Sequence, residues 1–243
     1  MKALRLLGLA VIAATLSGPA LATTYNAVTD FSATSNPTGV WSYRNDDPSQ
    51  TLLNTTAITG AGSLPYWGYN NSYAYVVDNN TANAYFGGTV VYRANYMTVD
   101  GGSVGAIVRF TASTAGTYGI TGNFQSNDSS PSIHGVSVVD NNGTSLFSGT
   151  TPGYNSDPTA SPVTFSFNAT LAAGGYLDFI SSGVSGGSFA STGLQAMVTS
   201  VATPASVPEP ASLMLLGIGL LGLLGWKGST RFGAGRDATS TSS

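Results

Sequence analysis

Between Thr23 and Val201 the sequence is punctuated by clusters of Ser, Thr, Asn and Gly roughly every 8–12 residues, and no window sustains a helical period. Segments between such turn clusters that never show a helical period read as strands, so this chain builds its core from sheets. Alternation within the segments agrees. Val104, Ala106, Val108 and Phe110 share one face of a strand, with Gly105, Ile107, Arg109 and Thr111 on the other. Tyr118, Ile120, Gly122 and Phe124 share a face of the next, and Ala115-Gly116 lies in the turn joining the two. Ile133 to Val139 forms a further strand, closed by Asp140-Asn141-Asn142-Gly143, whose Asn-Gly step tolerates the positive φ angles of a tight hairpin. Val163, Phe165 and Phe167 line one face of another, followed by strands over Tyr176 to Ile180 and Leu194 to Val201. Shorter candidates are Tyr25 to Phe31, Val40 to Tyr43, Leu52 to Ile58, Tyr73 to Val77 and Tyr96 to Val99. About a dozen short strands without helices predict an all-β, jelly-roll-like β-sandwich over 23–201.

The two ends read differently. Met1 to Ala22 carries Lys2 and Arg5, an apolar run from Leu6 to Leu16, and Ala20-Leu21-Ala22. These are the three parts of a secretory signal peptide, with signal-peptidase cleavage expected after Ala22. Residues 202–206 read as a linker, 207–232 as a sorting and transmembrane segment, and 233–243 as a polar tail. In Val207-Pro208-Glu209-Pro210 each proline fixes φ and disfavours helix in the residue before it, so the tetrapeptide is extended and accessible to a protease. Ala211 to Trp226 carries no charge and reads as a single apolar helix reaching about 24 Å. That length is short for a bilayer core but serviceable with Trp226 at the interface. Lys227 and Arg231 then act as stop-transfer charges on the cytoplasmic side.

Composition narrows the chemistry. The middle of the chain holds three arginines, Arg44, Arg93 and Arg109, against nine aspartates, a net charge of −6, so phosphate backbones are poor partners and nucleic acid is excluded. There is no cysteine, which removes disulfides, thiolate metal sites and Cys nucleophiles together. The single histidine, His134, lies in a strand. Two G-x-S-x-G matches, at Ser103 and Ser185, lack the strand–turn–helix context of a nucleophile elbow, so no catalytic residue is assigned and the domain reads as non-catalytic. No cofactor is implied. Asp140 and Asn142 are candidate calcium ligands in the hairpin turn, where Asx side chains also bond their own backbone. The strongest binding signal is aromatic. Tyr66, Trp67 and Tyr69, beside Asn70 and with Arg93 nearby, have the side chains that stack on sugar rings and bond their hydroxyls. Cross-strand aromatic packing draws on the same residue types.

Two resemblances add to this reading. Trp41-Ser42-Tyr43, Val108-Arg109-Phe110-Thr111-Ala112 with Ala115-Gly116-Thr117-Tyr118, and Thr192-Gly193-Leu194-Gln195-Ala196 resemble the galactose-binding-like and carbohydrate-binding jelly rolls of exported bacterial proteins, over roughly residues 30 to 200. Val99-Asp100-Gly101 stands where that pattern has His-Pro-Gly, and Ala190-Ser191 where it carries an aspartate, so only the fold is implied. The Val-Pro-Glu-Pro step, the Leu/Gly-rich span and the basic residues after it resemble the PEP-CTERM sorting signal. That resemblance implies an inner-membrane-anchored precursor in a Gram-negative bacterium, recognition and cleavage by an exosortase, and delivery to the cell surface or extracellular matrix. Exopolysaccharide is then the expected partner. The alternatives are an enzyme modifying matrix polysaccharide and a structural, self-associating surface protein.

Overall fold

In the computed structural model of the 243-residue chain, residues 21–58, 62–69, 74–100, 105–128, 133–151, 162–182 and 190–202 are described. In chain order the strands are β1 Thr24–Asn26, β2 Trp41–Asn45, β3 Thr55–Ile58, β4 Pro65–Gly68, β5 Tyr75–Asn79, β6 Tyr85–Gly87, β7 Val90–Tyr92 and β8 Tyr96–Asp100. They continue as β9 Ala106–Thr111, β10 Gly116–Ser126, β11 His134–Asp140, β12 Ser145–Thr151, β13 Val163–Leu171, β14 Tyr176–Ser181 and β15 Ser191–Ser200. Among the described residues there is no helix.

The strands form two antiparallel sheets. A large, eight-stranded sheet runs β13-β10-β15-β8-β5-β4-β3, with β1 added beside β15. A small, five-stranded sheet runs β12-β11-β14-β9-β2, and β6-β7 is a separate hairpin. The core lies between the sheets, where the period-2 pattern sends every second residue inward. Val108 and Phe110 come from the small sheet, Tyr118, Ile120, Leu194 and Val198 from the large one, and all are buried. Aromatic rings span the gap: Phe110 meets Tyr118 edge-on at 5.5 Å, and Phe165 meets Phe179 at 5.8 Å. Such tilted pairs are worth about 0.5–1.5 kcal/mol beyond their buried area. The predicted all-β sandwich is therefore the observed architecture.

Several boundaries differ for local physical reasons. The strands around Val108 and Ile120 do not pair with one another, because β9 belongs to the small sheet and β10 to the large one. The bend between them crosses the core and is held by Ala112, whose N–H donates to Gly175 O and whose carbonyl accepts from the Gly174 N–H, each at 2.8 Å. The strand expected over Tyr25 to Phe31 ends at Asn26, because Asn26 Oδ1 accepts the Val28 N–H at 3.0 Å and turns the chain. The segment expected from Leu52 is a strand only from Thr55, and the final strand begins three residues earlier than expected, at Ser191. The hairpin at 140–143 forms where Asn-Gly places it, with Gly143 at φ +78° joining β11 to β12.

Candidate functional site

The register of β15 creates an opening in the large sheet. On one side β15 pairs with β10 from Ser200 to Thr192. On the other it pairs with β8 through 191–194 and with β1 through 197–199. Gln195 and Ala196 thus sit where two short strands meet end to end. A notch of about 270 Å³ opens there. Asn26, Thr29, Asn80, Asn95, Thr121 and Gln195 supply its polar lining, and Val28, Ala196 and Met197 its apolar patches. Among the described residues, no charged side chain lines it.

The polar groups are held in place. Tyr96 Oη donates to Asn123 Oδ1 at 3.0 Å, Asn123 Nδ2 donates to Gln195 Oε1 at 3.0 Å, and Gln195 Nε2 donates to Asn95 O at 2.9 Å. This relay fixes which end of the Gln195 amide meets each neighbour. Asn95 adopts a left-handed backbone, φ 60°, a conformation asparagine tolerates better than most residues. Gly122 forms part of the wall, and a Cβ there would collide with the Gln195 carbonyl and the Phe165 ring. Beside the notch, the Asn80 backbone N–H donates to the carboxylate of Asp78. Asp78 is 6% exposed, and its Oδ1 has no hydrogen-bond partner among the described residues. Burial pushes its pKa up to about 7. The buried hydroxyl of Tyr43, on the facing sheet, likewise lacks a partner; burial and then the charge of Asp78 raise its pKa.

A second polar cluster lies on the outer face of the small sheet. Arg109 Nε meets Asp178 Oδ1 at 2.6 Å and Nη2 meets Oδ2 at 2.7 Å, while Nη2 also donates to Gln50 Oε1 at 2.6 Å. The Tyr176 ring stacks over this guanidinium at 3.5 Å. With its donors directed to Asp178 and Gln50 and its face covered, Arg109 serves the fold.

The residues singled out from sequence are dispersed. Tyr66 and Trp67 point to opposite faces of β4. Tyr66 packs in a small outer cluster with Leu64, Val77 and Tyr92. Trp67 is a core residue, 8% exposed, and donates its indole N–H to Ser32 O at 2.7 Å. Tyr69 packs against the main core. Arg93 is buried and donates to Asn127 Oδ1 at 2.9 Å and to Ser126 O at 3.0 Å. Asp140 Oδ1 accepts the N–H groups of Asn142 and Thr144 at 2.9 and 2.8 Å, and these bonds hold its carboxyl below the usual range. No group of three His, Cys, Asp or Glu side chains able to hold a metal occurs among the described residues. Ala22 is exposed. Asn70, Ser103, Ser185, the His134 side chain, Ala20, and the tail with Val207, Pro208, Glu209, Pro210, Lys227 and Arg231 lie outside the described residues. Sequence reasoning missed the notch, whose lining comes from turns and strands as far apart as Asn26 and Met197.

The described residues thus form an all-β sandwich carrying an uncharged surface notch. Residues 206–230 match the PEP-CTERM protein-sorting motif, which marks an exported, membrane-anchored precursor. No curated protein matches the chain. Similar solved structures include the family 35 carbohydrate-binding module of Cellvibrio japonicus Abf62, at 13% identity over 67% of this chain and 95% of that one, with a TM-score of 0.33. A family 35 carbohydrate-binding module from an environmental isolate is similar at 16% identity over 68% and 98%, with a TM-score of 0.34. An isomalto-dextranase of Arthrobacter globiformis T6, complexed with panose, is similar at 13% identity over 66% of this chain, with a TM-score of 0.31; the match spans 23% of the enzyme.

Proposed function

We propose that the chain is an exported, non-catalytic protein of the cell surface or extracellular matrix, processed by an exosortase near Pro208-Glu209-Pro210, whose sandwich holds a neutral saccharide of the exopolysaccharide in the notch. The observation that carries this reading is the convergence of six uncharged amide and hydroxyl side chains around one open cavity of about 270 Å³. Amides and hydroxyls both donate and accept, as sugar hydroxyls do, and Val28, Ala196 and Met197 offer apolar surface to the C–H faces of a ring. Ligand sites combine apolar walls with a few placed polar groups in this way, and one sugar residue suits a cavity at the small end of their size range.

Affinity electrophoresis through the producing strain's polysaccharide tests the binding. Wild-type protein is retarded, and an Asn80→Ala/Thr121→Ala variant, altered at two exposed positions, migrates as in a polysaccharide-free gel. Equal retardation of the variant, or free migration of wild type, refutes the site. The processing step is read separately, from the mass of the mature C-terminus. Cleavage near Glu209 removes the apolar span, and an intact tail in an exosortase-bearing host refutes that part alone.

A further inference from the structure

Edge strands present a row of unpaired backbone donors and acceptors, and proteins guard them with short length, charge, bulges, proline or a covering segment. Among the described residues, the edges at β3, β12 and β2 follow that practice. β3 is four residues long, β12 meets β11 across a register shift, and β2 carries Arg44 and is bridged by Leu52. β13 is different. It is nine residues long, contains neither proline nor charge, and pairs with β10 through nine consecutive partners without a shift. Its neighbour β10 is also free of charged residues.

We propose that β13 is an interaction surface for a second copy of this chain, pairing antiparallel with its counterpart about a two-fold axis at Phe167 and joining two large sheets edge to edge. The strand is self-complementary about that centre. Opposed residues share a face in an antiparallel pair, so the inner face would set Val163 against Leu171 and Phe165 against Ala169. On the exposed outer face, Ser166 of each copy meets Asn168 of the other, and Thr164 meets Thr170. Every opposition is apolar with apolar or hydroxyl with amide or hydroxyl, and no like charges oppose. Such a contact is isologous and closes at two copies. The edge is also held ready. Phe147 of β12 packs on Phe165 at 5.4 Å, and a Cβ on Gly149 would lie 2.6 Å from Val163 Cγ1, so the small sheet backs the strand closely.

Multi-angle light scattering on the full chain, in one mild detergent for all variants, tests this. Wild type is dimeric at about 100 µM, a concentration that reveals even modest affinity. Ser166→Lys/Asn168→Lys places lysine against lysine twice across the axis and weakens dimerisation at least tenfold. Ser166→Asp/Asn168→Lys places opposite charges there and restores the dimer. Far-UV circular dichroism confirms that each variant is folded. A monomeric wild type, a dimer unaffected by the double lysine change, or a folded Asp/Lys variant that stays monomeric overturns the proposal.

Discussion

Asp78 makes the stability of the sandwich depend on pH in an unusual direction. Its carboxyl is raised from 3.8 to about 7, with burial as the main cause and the hydrogen bond from the Asn80 backbone N–H opposing it. The folded state therefore holds a proton that the unfolded chain releases. The stabilisation is fully present below about pH 4, declines as pH rises, and is gone just above pH 7. A rise of roughly three units at about 1.4 kcal/mol each gives a loss of about 4 kcal/mol across that window, an upper bound for a group that water reaches in part. Asp78→Asn keeps an acceptor for the Asn80 backbone N–H and removes the titration. Urea unfolding followed by the fluorescence of the buried Trp41 and Trp67, at half-unit steps from pH 4.5 to 8.5, reads the difference directly. The variant and wild type are expected to unfold at similar urea concentrations near pH 4.5, and the variant to be the more stable by several kcal/mol at pH 8. Other groups, such as Asp46, whose carboxyl is also raised by burial, cancel in the difference between the two proteins. Parallel profiles for the two proteins would refute the reasoning, as would a variant equally destabilised at both ends.

Three further outcomes follow from the packing. Asp178→Ala leaves the Arg109 guanidinium buried without its carboxylate and costs about 3–5 kcal/mol, whereas Arg109→Met with Asp178→Leu costs less than either single change; urea midpoints measure both. Gly122→Ala drives a methyl into the Gln195 carbonyl and the Phe165 ring, costs about 1–3 kcal/mol or more, and closes the notch wall, which thermal melting and saccharide binding detect together. Gly143→Ala meets open space but must hold φ +78°, so it costs about 1–2 kcal/mol in melting experiments and leaves the sheet register unchanged.

Much of the architecture was legible in the chain, and the reasons differ by element. The inward residues of β9, β10 and β13 follow strict alternation because one face of each meets the core. The turn after Asp140 followed from Asn-Gly chemistry. Which sheet a strand joins was not legible: Ala115-Gly116 signals a reversal, but a reversal can make a hairpin or an arch across the core. β4, β6 and β7 were lost among tyrosines, since aromatic density reads equally as packing and as a binding face. The notch could not be read because it depends on where β1 and β8 stop along β15, a matter of long-range register. Asp78-Asn79-Asn80 resembles a turn by composition, yet Asp78 and Asn79 end a buried strand. No local pattern distinguishes a solvated aspartate from one that must carry its proton inside.

The placement of β15 also has a mechanical consequence. Its ten residues are bonded to β10 on one side and to β8 and β1 on the other, and the chain leaves it at Val201, whose N–H donates to Thr117 O at 2.8 Å. A pull applied at Ala202 runs along β15 and loads these hydrogen bonds in shear, all at once, instead of peeling them singly from an edge. The strand that bears the load is the one that forms the wall of the notch, so tension passing between a tether and a gripped polymer would cross little of the domain besides this strand.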